Sequence, residues 1–435
     1  MSARLRKLID DLAESFWLLP ALLVAFGVIS AWALVGVDRD GIVPDWAEGW
    51  LYNGGATGAR TLLGAVASST ISVAGTVFSI TIAALSLAAG QMGPRLLRNF
   101  TRDRGNQVTL GIFLGTFCYA LVVLRSVRMP DEGAFIPHLA VSVGIALAFV
   151  CVATLVYFVG HMSGRINVDT VIGLVSEDVH NVMRTLATDD RQPAPPPPAF
   201  WHGAKPVEDE RRGYLQQLDE DGLAEWACKH DTAIRMLVRP GDYVFPGTPI
   251  AMIKPLRDGA AEAIRNATAL SPQHTSSTDL LFAVRQLVEV GVRALSPGIN
   301  DPHTAISVLD RLGSALCEMK PLRLQTGVSI RNDHTVLVVP HVCYEELVDA
   351  MFHMIRQNAA GKPSILIRMI EVMTSVVSCE RDPDRMEAVR KHADLVMRDA
   401  ERDVGSPSDL SDIRARHRAF VDMIAEGPAG RLEMA

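Results

Sequence analysis

The chain has 435 residues, enough for two or three domains, and its 49% hydrophobic content and mean hydropathy of +0.19 are unevenly spread. Up to Gly164 there are 11 Lys+Arg against 10 Asp+Glu, which leaves 31 against 39 for the remainder. The acidity therefore belongs to the C-terminal part, and no basic footprint for nucleic acid is present. The six cysteines (Cys118, Cys151, Cys228, Cys317, Cys343, Cys379) stand singly with no CxxC, which argues against a disulfide framework and fits a reducing cytosol.

Residues 1–15 carry Leu5, Leu8, Ile9 and Leu12 at helical spacing with charges between them, which predicts a short interfacial helix. Phe16 to Val37 is uncharged and too long for the apolar core of a signal peptide, so it reads as an uncleaved first span. Asp38 to Arg60 is a polar connection with Trp46, Trp50 and Tyr52 as headgroup-level aromatics. Thr61 to Pro94 then runs for about thirty-four residues without a charge, well beyond the ~20 that a bilayer core requires. Arg95, Arg98, Arg102 and Arg104 follow, then a third span from Asn106 to Leu124, a short loop with Arg125, Arg128, Asp131 and Glu132, and a fourth span from Phe135 to Ser163. Residues 16–164 are thus expected to form a four-span α-helical membrane domain.

The second span carries the unusual pattern. Ser72, Ser79, Ser86 and Gly93 recur every seven positions, flanked at the same interval by Ser69, Thr76, Ala83 and Gly90. On a helix this is a continuous stripe of small, weakly polar side chains. Two readings stand side by side. Small residues allow backbones to approach in a membrane; equally, hydroxyls replace hydrating water along a wet path. The pore-lining candidates on the second reading are Ser69, Ser72, Thr76, Ser79, Ser86 and Gly90. Arg95, Arg98 and Arg102 serve as the topology signal itself, or in a ring of subunits as charge at a cytoplasmic mouth. Placing the N-terminus inside puts Arg4, Arg6, Lys7 and the four-arginine loop in the cytoplasm and leaves only Arg39, Arg60, Arg125 and Arg128 outside. Both termini are then expected to be cytoplasmic.

Residues 165–206 read as an amphipathic helix followed by a proline-rich linker, QPAPPPPAFWHGAKP. Residues 207–260 read as a β-rich subdomain in which RPGD and PGTP form turns between strands. VRPGDYVFPGTPIAMI resembles half of a biotinyl- or lipoyl-type barrel–sandwich, without the hairpin lysine that such carriers need. Residues 261–435 are expected to be mostly helical, with helices near Pro302–Met319, Tyr344–Asn358, Ser364–Ser378, Arg385–Arg402 and Leu410–Ala425 and a strand at Thr335–Val339. The fold class is therefore a four-span helical region followed by a cytoplasmic α+β domain with a small barrel–sandwich-like element.

In the soluble part, SPGINDPHTA brings Asn300, Asp301, His303 and Thr304 to a helix N-terminus. That motif reads as a rigid turn joining two helices, with an anion site as the sharper alternative. His341 and Cys343 lack any zinc-site spacing, and phosphate-loop, GxSxG, HExxH and EF-hand patterns are all missing, so neither metal, cofactor nor enzymatic activity is expected. His138 and His161 lie near the ends of the fourth span and read as interfacial or hydrogen-bonded.

ITIAALSLAAGQMGPRLLRNF, RPGDYVFPGTPIA and RQLVEVGVRALSPGINDPHTA, in this order, resemble a bacterial family of predicted membrane proteins, domain of unknown function family 2254. The resemblance covers roughly residues 10–425 and implies a multi-pass N-terminal region with a cytoplasmic C-terminal region. It implies no activity. The leading expectation is a homo-oligomeric ion channel or channel-like conduit of the bacterial inner membrane, lined by the second span and regulated by the cytoplasmic domain. The alternative is a non-conducting membrane sensor or scaffold whose cytoplasmic domain binds a ligand or partner.

Overall fold

A computed structural model describes residues 16–41, 51–92, 103–129, 135–165, 168–188, 192–272, 274, 279–319 and 322–428. The expected interfacial helix at 1–15, Trp46, Trp50, Gly93, Arg95, Arg98, Arg102 and the acidic residues of the third loop lie outside these residues. The described chain divides into two compact units, within residues 10–167 and within residues 168–435.

The first unit consists of α1 (Leu18–Asp40), α2 (Ala56–Met92), α3 (Arg104–Ser126) and α4 (His138–Arg165). All four contain stretches long and apolar enough to cross a membrane. At 37 residues, α2 extends for about 55 Å, far more than the ~30 Å hydrocarbon thickness. The closest approach is between α1 and α3, whose backbones meet through glycine. A Cβ on Gly27 would lie 2.5 Å from the Gly115 carbonyl oxygen, and one on Gly115 would lie 2.8 Å from that of Leu23. Gly111 packs beside Pro20 and Leu23 in the same seam. Gly111 and Gly115 form a GxxxG pair, which permits this approach in a medium without a hydrophobic drive between helices.

One end of the bundle is tied by polar contacts. The Asp38 carboxylate, at the end of α1, accepts the N–H groups of Leu139 and Ala140 at 3.0 and 2.9 Å, capping α4. The Tyr119 hydroxyl donates to the Ala140 carbonyl at 2.8 Å, and the Tyr52 N–H donates to Ser142 Oγ at 2.8 Å. His138 Nδ1 pairs with the Tyr52 carbonyl. At the other end, Asp103 caps α3 through the Gly105 N–H and holds His161 Nε2 at 2.8 Å.

The second unit opens with α5 (Val168–Leu186), whose apolar face of Val171, Ile172, Val175, Val179 and Met183 packs on α8 (Leu280–Ala294) and α9 (Pro302–Glu318). A short strand β1 (Ala187–Thr188) follows, then a single 3₁₀ turn, Pro198–Trp201. The proline-rich stretch is fastened to the unit rather than free of it. The Pro193 carbonyl accepts from Thr326 at 2.8 Å and the Phe200 carbonyl accepts from the Lys254 ammonium at 2.6 Å. Next come β2 (Lys205–Asp209), β3 (Gly213–Leu218), α6 (Glu220–Lys229), β4 (Ala233–Met236), β5 (Tyr243–Val244), β6 (Thr248–Lys254), α7 (Ala260–Ala267) and β7 (Thr268–Ser271). Beyond α8 and α9 lie β8 (Arg323–Leu324), β9 (Val328–Arg331), β10 (His334–Val338), α10 (Tyr344–Asn358), α11 (Pro363–Cys379), α12 (Pro383–Asp403) and α13 (Pro407–Glu426).

The barrel–sandwich expectation does not hold in closed form. The strands divide into a five-stranded sheet ordered β2-β6-β4-β10-β9, a three-stranded sheet ordered β5-β3-β7 and an antiparallel pair of β1 with β8. The cause is a long-range pairing: β10 joins β4 in parallel, Leu337 opposite Ile234, and so extends the sheet where a barrel would close. The RPGD turn is as read, with the Asp242 N–H donating to the Arg239 carbonyl at 3.0 Å. Between sheets and helices lies a core that includes Leu223, Ile234, Met236, Ile253, Ile264 and Leu337. The helical part buries Leu309, Phe352, Met369, Val389 and Phe420 completely, and a buried Arg356–Asp399 ion pair ties α10 to α12.

Candidate functional site: the exposed face of the second span

The helix α2 has two seven-residue patterns. Leu63, Ala67, Thr70, Ala74 and Val77 are buried against the rest of the unit in alternating steps of four and three, and Ala84 follows one heptad on. Ser69, Ser72, Thr76, Ser79, Ser86 and Gly90 are all exposed. Ser69, Ser72, Thr76, Ser79 and Ser86 each follow a buried position by two residues, which at 100° per residue places them on the opposite side of the helix. Among the described residues of the first unit the stripe is not the packed face; the buried seam uses a different row. Where the chain needs its closest helix contact it uses Gly27, Gly111 and Gly115 instead.

The chemistry of the stripe follows from its hydrogen bonds. Ser72 donates to the Ser68 carbonyl at 2.8 Å, Thr76 to that of Ser72 at 3.1 Å and Ser79 to that of Gly75 at 2.9 Å. Ser69 donates to the Val66 carbonyl at 3.1 Å. These four hydroxyl protons are thus satisfied by their own helix, which makes this part of the row tolerable in an apolar medium. What the row presents outward is hydroxyl oxygen with acceptor capacity. Ile71, Phe78, Ile80 and Ile82, each exposed by 40 to 47%, flank it with apolar surface.

The SPGINDPHTA segment joins α8 to α9. Asp301 is the N-cap of α9, accepting the Thr304 N–H at 3.2 Å and the Thr304 hydroxyl at 2.6 Å. That hydroxyl, together with backbone N–H groups, holds the Asp301 carboxyl below the usual carboxylate range. Asn300 takes the left-handed conformation at φ +48, and both Asn300 and His303 are exposed. The fold brings Asp301 and Thr304 together and uses both as a cap. Asp279 caps α8 through the Phe282 N–H at 3.0 Å. His341 and Cys343 do not converge: Cys343 caps α10, and His341 Nε2 lies 3.6 Å from Glu220. Among the described residues no group of three His, Cys, Asp or Glu side chains is placed to hold a metal.

Several polar features escaped the linear reading. Asp103 and His161 are 58 positions apart, and no local spacing links them. Asn106 and Thr109, 2% and 0% exposed, share the inward face of α3 with Phe113 and Thr116, and the Asn106 amide and Thr109 hydroxyl have no hydrogen-bond partner. The GxxxG pair in LGIFLGTF was a usable signal for the α1–α3 contact.

Four apolar helices followed by a mixed region of strands and helices define a multi-pass membrane protein with a C-terminal α/β domain. The chain belongs to the predicted membrane protein family DUF2254, whose model matches residues 13–375. It is 32% identical over 426 residues to uncharacterized proteins of Mycobacterium tuberculosis and Mycobacterium bovis, covering 94% of this chain and 80% of theirs. No solved structure matches.

Proposed function

We propose that copies of this chain assemble around the exposed face of α2 to form a channel-like conduit for ions in a bacterial inner membrane, rather than an enzyme. One observation carries the reading: the small hydroxyl row lies opposite the buried row of the same helix, on a surface that the described residues of the first unit leave uncovered. A helix with only lipid to face gains from larger apolar side chains there. Four helices enclose little space, so conduction requires several copies, with α2 nearest the axis and the second unit as regulator. Arg95, Arg98 and Arg102 would then stand at the cytoplasmic mouth.

The paired substitutions Ser79→Leu and Ser79→Ala test this. Ser79→Leu is expected to keep the oligomer size and lower ion flux into liposomes several-fold, because a wider side chain narrows and dewets the path. Ser79→Ala is expected to change little. Dissociation of the oligomer by Ser79→Leu would make the row a packing surface. The back-bonded hydroxyls favour that second reading, a non-conducting sensor or scaffold whose copies meet dry along α2.

A further inference from the structure

We propose that the cavity lined by Arg60, Arg125 and Arg128 binds the phosphate of an anionic phospholipid headgroup. The cavity has a volume of about 670 Å³ and lies between the start of α2 and the end of α3, with Leu121, Leu124 and Val127 completing its wall. It belongs to the end of the bundle opposite the point where the chain leaves α4. Three exposed arginines line one space, and none of them makes an ion pair among the described residues. The carboxylate of Asp38, at the same end, is committed to the N–H groups that it caps. Arg39 is engaged elsewhere, its guanidinium 5.6 Å from the centre of the Phe135 ring. Like charges gathered with no paired counter-charge among the described residues repel one another, and an anion between them removes the cost. Planar guanidinium forks match phosphate oxygens two at a time.

The wall also gives the ligand a direction. Leu121 lies one turn inward from Arg125, about 6 Å nearer the hydrocarbon, and is 43% exposed. Arginine at the helix end and leucine below it reproduce the order of phosphate and acyl chain in a lipid. In the orientation expected from the arginine distribution, these residues also lie outside, where Lys and Arg are ordinarily sparse.

The test is lipid retention by the full-length protein in detergent, read by native mass spectrometry. Phosphatidylglycerol, phosphatidylcholine and millimolar inorganic phosphate serve as separate additions. Wild type is expected to retain phosphatidylglycerol in preference to phosphatidylcholine. Each of Arg60→Gln, Arg125→Gln and Arg128→Gln is expected to reduce that retention about five-fold, and Arg125→Lys to reduce it less. Arg128 lies on the extended segment after α3, so Arg128→Gln tests the site without altering a helix. Undiminished retention in a triple Gln variant that elutes at the wild-type size would overturn the proposal. Full displacement of the lipid by inorganic phosphate would also overturn it, marking a soluble-anion site. Ion flux does not enter the readout, so this result and that of the Ser79 pair stand or fall separately.

Discussion

At the scale of single residues, the turn between α8 and α9 separates two roles that its sequence runs together. In SPGIND the glycine invites the strained position, yet Gly298 does not have a positive φ, and a Cβ built on it meets nothing within 4 Å. The left-handed residue is Asn300, at φ +48. Asparagine tolerates that conformation, while a β-branched residue is driven out of it at a cost of about 1–2 kcal/mol. Asn300→Val is therefore expected to lower the thermal midpoint of the full chain, and Asn300→Gly to leave it nearly unchanged. Gly298→Ala should be neutral or stabilising by up to about 1 kcal/mol, since it only narrows the unfolded ensemble. A larger loss from Gly298→Ala than from Asn300→Val would reverse the assignment.

At the scale of elements, α2 and the α1–α3 pair show how periodicity can be right about spacing and silent about direction. The serine row is plain in the sequence, but Leu63, Thr70, Val77 and Ala84 repeat at the same seven-residue interval two places away. Small residues suit an interface, which would turn the serines inward; the fold buries the neighbouring row instead. The C-terminal helices were legible because proline at their first turns and long apolar stripes mark them. The strand β2, the helix α7 and the strand β7 are too short to show a period. The parallel β4–β10 pairing joins residues about a hundred positions apart, and alternation along a strand fixes its buried face without naming its partner. The glycine seam gives the element-scale prediction. Gly115→Ala places a methyl 2.8 Å from the Leu23 carbonyl oxygen, against backbone that cannot rotate away. It should cost about 1–3 kcal/mol in thermal stability in detergent. Gly36→Ala on α1, where a Cβ meets nothing within 4 Å, should cost little and serves as the matched control. Equal melting of the two variants would mean that the helices do not meet at Gly115.

For the whole molecule the open choice is which way the bundle crosses the membrane. The internal alternation follows from contacts within the first unit. Asp38 at the end of α1 caps the start of α4, and Arg60 at the start of α2 shares a cavity with Arg125 at the end of α3. Gly27 meets Gly115 and Pro20 meets Gly111, so α1 and α3 run parallel. Successive helices therefore cross in opposite senses, and one absolute assignment fixes all four. Arginine and lysine supply it: seven lie before the first span or between the second and third spans, against four in the other two connections. Positive residues are retained on the cytoplasmic side, which predicts that both termini lie inside. Reporter domains fused after Asp45, Arg104, Asp131 and Arg165 should report outside, inside, outside and inside in turn. The fusion after Arg165 matters most, because it places the entire acidic C-terminal unit. An outside signal there, with the other three also inverted, would turn the bundle over. The three-arginine cavity would then face the cytoplasm, and the serine row would keep its place opposite the packed face of α2.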